Sequence, residues 1–355
     1  MRTLIQAIHE LGQRLGRDVN LMEVCGTHTM VAFRTGLRQL LPQNIRLVSG
    51  PGCPVCVTDA NYIDAAIALS RRPDTLVATF GDLMRVPGSE SSLDRERAAG
   101  ASVRVVYSPS DALLLAKECP ARHVVFLGVG FETTVPTVAW AIYRAARDGV
   151  ANFSVLCAHK TMPRVMDALL RDQQVRIDGF LCPGHVSVIT GAAIYRFVCE
   201  RYYVPCVVSG FEAWDILKSI SLLLAQLAEG RAEVEIEYSR SVSEQGNVAA
   251  QRLIEEVFEP CDASWRGIGT IAGSGLAIRE TFARHDAVKA LGVEFGESRV
   301  HPSCRCGDVL RGVARPSDCE LFGRACTPAY PIGPCMVSGE GTCAAYFKYE
   351  GRIAA

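Results

Sequence analysis

Between residues 19 and 208 short apolar runs alternate with stretches of helical periodicity, and this alternation restricts the possible folds more than any other feature of the chain. Strand-like runs fall at Leu21–Val24, Ile45–Val48, Thr75–Thr79, Val103–Tyr107, His123–Leu127, Phe153–Leu156, Gly179–Leu181 and Cys206–Val208. Helical patterns lie between them at Tyr62–Arg71, Asp111–Glu118, Thr137–Arg147 and Val165–Arg171. Strands spaced by helices of this length pair through crossovers, which predicts right-handed βαβ units and parallel sheets. Ahead of them, Leu4, Ile5, Ile8, Leu11 and Leu15 recur at helical spacing among Arg2, His9, Glu10 and Arg14. That segment reads as an amphipathic helix packing on the body, not as a signal peptide. The string VVFLGVGFETT at 124–134 echoes PCVVSGFEAWD at 205–215. Two similar α/β halves would explain the echo, and so would convergent use of glycine after a strand.

The expected architecture is α/β: an N-terminal helix over 1–18, α/β domains over 19–120 and 121–230, and a C-terminal helical and Cys-rich domain over 231–355. A charge-rich stretch at Glu229–Arg240 and a helix candidate at Val248–Phe258 open that last part. The formal net charge of −1 gives no global field to attract nucleic acid or an anionic membrane. No run of 18 apolar residues marks a membrane span. No Gly-x-x-x-x-Gly-Lys-Ser/Thr loop or Gly-x-Gly-x-x-Gly opening is present for a nucleotide.

Fifteen cysteines stand in a chain with no export signal. The expected compartment is the cytoplasm, where such clusters point to metal or redox chemistry rather than structural disulfides. In MEVCGTHT, Cys25 and His28 follow a strand, with Thr27 or Thr29 as candidate helix caps. Helix amides near a thiol lower its pKa and make it a better ligand or nucleophile. The plainer reading is a buried cysteine beside a histidine that satisfies a turn. In SGPGCPVCVTD, Cys53 and Cys56 form a Cys-x-x-Cys between a strand and a helix capped by Thr58 or Asp59. That setting favours a redox pair or single-metal chemistry, although the spacing also suits half a zinc site.

In the tail, Cys319, Cys326, Cys335 and Cys343 lie among prolines and glycines. Four thiolates on irregular backbone suit an iron–sulfur cubane or a tetrahedral zinc. Cys304 and Cys306 stand upstream as a further thiol pair or as bystanders. For Cys119, Cys157, Cys182, Cys199, Cys206 and Cys261 the expectation is core packing. Asp82, Glu132, Thr133, His159, Lys160 and His185 follow strands and read either as site residues or as turn and second-layer hydrogen-bonding groups.

Five strings in this order, EVCGTHT, SGPGCPVCVT, FGDLMRVPGS, GFETT and CELFGRACTP…GPCMVSGEGTC, resemble the HypD family of [NiFe]-hydrogenase maturation factors, from near residue 20 to near residue 347. The resemblance implies two related α/β domains plus a domain carrying a [4Fe-4S] cluster. It implies a complex with a HypC-type small chaperone, on which iron acquires two cyanides and one carbon monoxide as an Fe(CN)2CO group. A HypE-type cyanide donor docks there, and the finished group passes to the hydrogenase large subunit. By position, Cys25 matches the family's iron-holding cysteine and Cys53 and Cys56 its redox pair, with Cys53 and Cys56 as further candidate iron ligands. Cys319, Cys326, Cys335 and Cys343 match its cluster ligands. Such a protein is a scaffold more than a turnover enzyme. The competing readings are a stand-alone thiol–disulfide oxidoreductase with an iron–sulfur relay and a zinc-stapled scaffold.

Overall fold

The computed structural model describes residues 1–350. Eleven strands occur among them: β1 Val19–Glu23, β2 Ile45–Ser49, β3 Thr75–Thr79, β4 Val103–Val105, β5 His123–Gly128, β6 Phe153–Cys157, β7 Gly179–Pro183, β8 Cys206–Ser209, β9 Val234–Ile236, β10 Phe258–Trp265 and β11 Gly269–Ile278. The first nine make two parallel sheets, in the orders β2-β1-β7-β8-β9 and β4-β3-β5-β6, and the last two form an antiparallel hairpin. All five residues of β3 are buried, as are all of β7, so these runs are apolar without alternation, as expected for sheets covered on both faces.

The expected domain borders are corrected by the strand pairing. β1 and β2 come from the chain's first fifty residues, yet β1 pairs with β7 and not with β3. The β3–β6 sheet is inserted between β2 and β7, and β3 pairs with β5 across the expected border at 120. β9, beyond the border at 230, closes the edge of the larger sheet. Counted within each sheet, both begin second-first-third-fourth, so the halves share a winding pattern. The Gly-Phe-Glu echo does not mark equivalent strands, since β5 is third in its sheet and β8 fourth in its own.

Local chemistry fixes the helices. Arg2–Leu15 ends at Gly16, whose φ of 61° is the left-handed conformation glycine tolerates. Its Ile8 is buried against Ile216, Ile220 and Leu224 of the helix Ala213–Glu229. Pro109–Glu118 starts with a capping box, Ser108 with Asp111, and a proline in its first turn. The tail returns across the molecule: its last helix, Thr342–Tyr349, packs on the helix Gly26–Arg34, with Tyr346 edge-on to Phe33 at 4.6 Å. No helix of the described residues is long and apolar enough to cross a membrane.

Candidate metal and thiol centre

Open α/β sheets place their sites at strand carboxyl ends where the strand order reverses. In the larger sheet that point lies between β1 and β7, and Cys25 stands there, two residues beyond β1. It is the N-cap of Gly26–Arg34, with no side-chain cap. Neither threonine caps the helix: Thr27 donates to Glu340 at 2.7 Å and Thr29 to buried Glu23 at 2.7 Å. The loop after β2 closes over this corner. The amide of Gly50 donates to Glu23 O at 2.8 Å, and that of Gly26 to Gly52 O at 3.0 Å. A Cβ on Gly52 would lie 2.3 Å from the Cys25 nitrogen, so only glycine lets the Cys-x-x-Cys loop lie on Cys25. From the other side, a Cβ on Gly26 would lie 2.6 Å from Glu340. Cys25 is thus held between the Cys53–Cys56 loop and the tail.

Cys53 and Cys56 are joined as a disulfide with their Cα atoms 5.2 Å apart, both buried. The helix Ala60–Ser70 begins at its N-cap Asp59, one of the two expected positions, and the pair lies just ahead of it. The Cys25 thiol departs from expectation. Burial pushes it up to about 11, the Glu340 carboxylate adds to this, and the amides of His28 and Thr27 offset only part. Desolvation outweighs a helix N-terminus here.

His28 is fully buried and its ring lies 5.2 Å from Phe211. Its Nε2 sits 3.3 Å from Ser209 O. A carbonyl can only accept, so Nε2 carries the proton and the Nδ1 lone pair is left without a partner among the described residues. Burial lowers its pKa to about 4, which keeps the ring neutral and able to ligate. His185 stacks on the same Phe211 at 3.8 Å. Asp82 is exposed and lies in the short helix Gly81–Leu83 after β3.

The tail gathers six thiols. The sulfurs of Cys306, Cys335 and Cys343 lie within 4.8 Å of one another. Cys304, Cys319 and Cys326 line the adjoining void together with Cys306 and Cys343, under Leu321, Phe322 and Met336. A Cβ on Gly333 would come 2.5 Å from the Cys306 sulfur and 3.1 Å from that of Cys304. The amide of Ile332 donates to the Cys326 sulfur at 3.4 Å. Thiols this close cannot all ionise. Cys304 is pushed up by Cys306 and by burial, and Cys343 by Cys306, Cys335 and burial. A bound cation reverses that balance. Cys304 and Cys306, set aside on spacing, therefore stand inside the centre, because the helix Cys306–Leu310 folds beneath the later cysteines. The Cys53–Cys56 disulfide lies against the tail as well, with the Cys56 sulfur 4.0 Å from Pro334 O.

A third group lies at the carboxyl end of β6. The Cys157 thiol donates to Leu276 O at 3.1 Å and lies 3.4 Å from His159 Nδ1. Lys160 is buried over Trp265 at 5.8 Å, and burial lowers it to about 8. Glu132 Oε1 accepts from the Met162 amide at 2.8 Å, Oε2 has no partner among the described residues, and burial raises the carboxyl to about 7. The folded protein therefore holds a proton on Glu132 that the unfolded chain releases near 4.5, and stability falls as pH rises through that window. Buried His28, at about 4, and His159, at about 3, act oppositely, losing stability as pH falls below 6.5. Subtracting a Glu132→Gln variant isolates the glutamate. Urea unfolding is expected to show the variant gaining on the order of 3 kcal/mol relative to wild type between pH 4.5 and 8. A constant difference would show that Glu132 ionises freely in the folded state.

Cys182 and Cys206 are buried in the core, and Cys199 packs beside Cys206, as expected of them. Sequence reasoning missed Glu340, Arg38 and Arg266. Arg38 pairs with buried Glu23 at 3.3 Å and lies over Phe33 at 4.3 Å, tying the site helix to the loop before β2. No spacing rule marks these residues, because each acts on a partner distant in sequence.

The family model described as "HypD: Hydrogenase formation hypA family" matches residues 1–350. The chain is 47% identical over 351 residues to the hydrogenase maturation factor HypD of Rhodobacter capsulatus, covering 98% of this chain and 93% of that one. With the hydrogenase maturation factor HypD of Azotobacter vinelandii it shares 46% identity over 340 residues, 94% of this chain and 90% of the other. A putative hydrogenase expression/formation protein of Methanocaldococcus jannaschii is 42% identical over 350 residues, 99% and 97% of the two chains.

Proposed function

The chain belongs to the HypD family of hydrogenase formation proteins, and from that premise we propose that it is a scaffold on which an iron ion is loaded with cyanide and carbon monoxide for a [NiFe]-hydrogenase. The observation that carries the reading is the interlock at Cys25. One glycine, Gly52, brings the Cys53–Cys56 loop onto the Cys25 backbone, and one tail residue, Glu340, closes it from the other side.

Cys25 offers the substrate iron a soft thiolate, whose electron density suits cyanide and carbonyl ligands. His28 stays neutral and offers the Nδ1 lone pair. The burial that raises Cys25 means iron loading releases its proton, so loading strengthens with pH. The Cys53–Cys56 disulfide takes up two electrons and two protons to become two thiols beside Cys25, where they can ligate iron or support ligand transfer. Four of the six tail thiols hold a [4Fe-4S] cluster, with Cys319, Cys326, Cys335 and Cys343 the set the family resemblance implies. Their fit rests on the donor type, on the space that Gly333 leaves for two sulfurs, and on the apolar cover of Leu321, Phe322 and Met336. Such a cluster supplies single electrons. A HypC-type chaperone and a HypE-type cyanide donor are the partners this reading requires.

The test is iron and acid-labile sulfide analysis on anaerobically purified protein, followed by infrared spectroscopy of its complex with the small chaperone. About four irons and four sulfides, with cyanide and carbonyl bands in the complex, are expected. The close approach of Cys306, Cys335 and Cys343 also suits a single tetrahedral ion. A colourless protein with stoichiometric zinc and no such bands would overturn the reading.

A further inference from the structure

Arg266 follows β10 in the hairpin turn and is only 3% exposed. Its backbone is pinned, because its amide donates to Val57 O at 2.9 Å. The next residue, Gly267, packs so tightly that a Cβ there would lie 2.3 Å from the Gly307 Cα. The side chain is buried as it stands, and its guanidinium cannot lose its proton. Yet Nε and Nη1 are buried without a partner among the described residues. A buried, unpaired charge costs several kcal/mol unless an anion complements it.

Arg266 lines a cavity of about 490 Å³. Three more arginines face it, Arg85, Arg95 and Arg299, and none of the four makes an ion pair among the described residues. Glu90 and Asp94 face the same cavity, so four guanidinium groups meet two carboxylates and leave a surplus of positive charge. Guanidinium forks match the oxygens of phosphate and hold them in pairs.

We propose that this cavity is a binding site for a dianionic tetrahedral oxyanion, inorganic phosphate or the phosphoryl group of a small metabolite, with Arg266 at its base. The cavity adjoins the thiol centre through Arg266, whose charge reaches Cys304, and the proposal does not rest on the maturation reading. The cavity exceeds the size of phosphate alone, so a phosphate monoester has room for its organic part.

Isothermal titration of the full chain at low ionic strength, with inorganic phosphate and then with glycerol phosphate, tests it. Saturable binding at one site is expected, and tighter binding of the monoester identifies a metabolite as the source. Arg266→Met is expected to weaken binding at least tenfold. Arg299→Gln, an exposed change that leaves the core intact, is expected to weaken it threefold or more. Arg144→Ala, whose partner is Asp148 on another face, is expected to leave it within twofold. Absence of saturable binding by wild type overturns the proposal. So does phosphate binding that neither cavity change weakens. The Arg266 charge also acts on Cys304, so a visible spectrum altered in Arg266→Met with phosphate affinity unchanged would assign the arginine to the thiols instead.

Discussion

Replacing Cys343 with alanine is expected to reduce bound iron and sulfide to less than a tenth of wild type and to release the tail from the body. Between Val293 and Gly341 the regular structure consists of single turns, at Cys306–Leu310, Pro316–Asp318 and Pro334–Met336. Such a segment forms few repeating hydrogen bonds and depends on a staple. Metal–thiolate sites contribute on the order of 10 kcal/mol to folding of small domains, far more than the apolar contacts of one helical turn. Cys343 lies in the first turn of Thr342–Tyr349, the helix that seats Tyr346 against Phe33. Loss of the centre should therefore also loosen that helix from Gly26–Arg34. Limited proteolysis should cut within the tail while the two parallel sheets persist. Parallel measurements on Cys304→Ala, Cys306→Ala and Cys335→Ala identify which of the six thiols complete the set, since a ligand removed costs cluster and a neighbour removed does not. A Cys343→Ala protein that keeps its full iron and sulfide would remove this thiol from the centre.

The second large effect is expected at Cys25. Cys25→Ala should abolish hydrogenase maturation, by more than a hundredfold in the activity of the hydrogenase produced, while leaving tail iron and sulfide unchanged. The substitution removes the soft ligand and puts a methyl group in its place. It does so without strain, because Cys25 has ordinary extended backbone, φ −146° and ψ 124°. The stability change should be small, since the thiol is not counted on for packing of either sheet. Infrared spectra of the chaperone complex should lack cyanide and carbonyl bands. For wild type, iron loading should strengthen as pH rises from 7 toward about 11, because burial and Glu340 hold the proton on the thiol up to that range and metal binding must expel it. Maturation above a tenth of wild type in Cys25→Ala would show that this thiol does not hold the iron.

The strand runs were legible because a strand buried on both faces is written locally. Thr75–Thr79 and His123–Gly128 are short, apolar and bounded by glycine or polar residues, wherever they pair. Cys25 and the Cys53–Cys56 pair were legible for the same reason: each follows such a run, and strand ends are where open sheets expose functional groups. β9 was hidden in the charge-rich stretch after Glu229, because an edge strand keeps polar residues on its open side. The β10–β11 hairpin was hidden by its few fully buried residues and by Gly269, Gly273 and Gly275, which weaken a strand signal.

By itself, then, the sequence determined the α/β class, the parallel strands, the family and the places of the cysteine motifs along the chain. Only the tertiary structure decided which sheet each strand joins, with β3–β6 set between β2 and β7. It also decided that the tail closes on Cys25 through Glu340, that Cys304 and Cys306 join the later thiols, and that Arg266 is buried without an ion-pair partner among the described residues. The Cys25 thiol makes the difference plain, since a strand followed by a helix predicts a lowered pKa and burial among distant segments raises it. Backbone preference and burial period are carried by neighbouring residues, whereas pairing, desolvation and charge balance depend on groups that meet only when the chain has closed on itself.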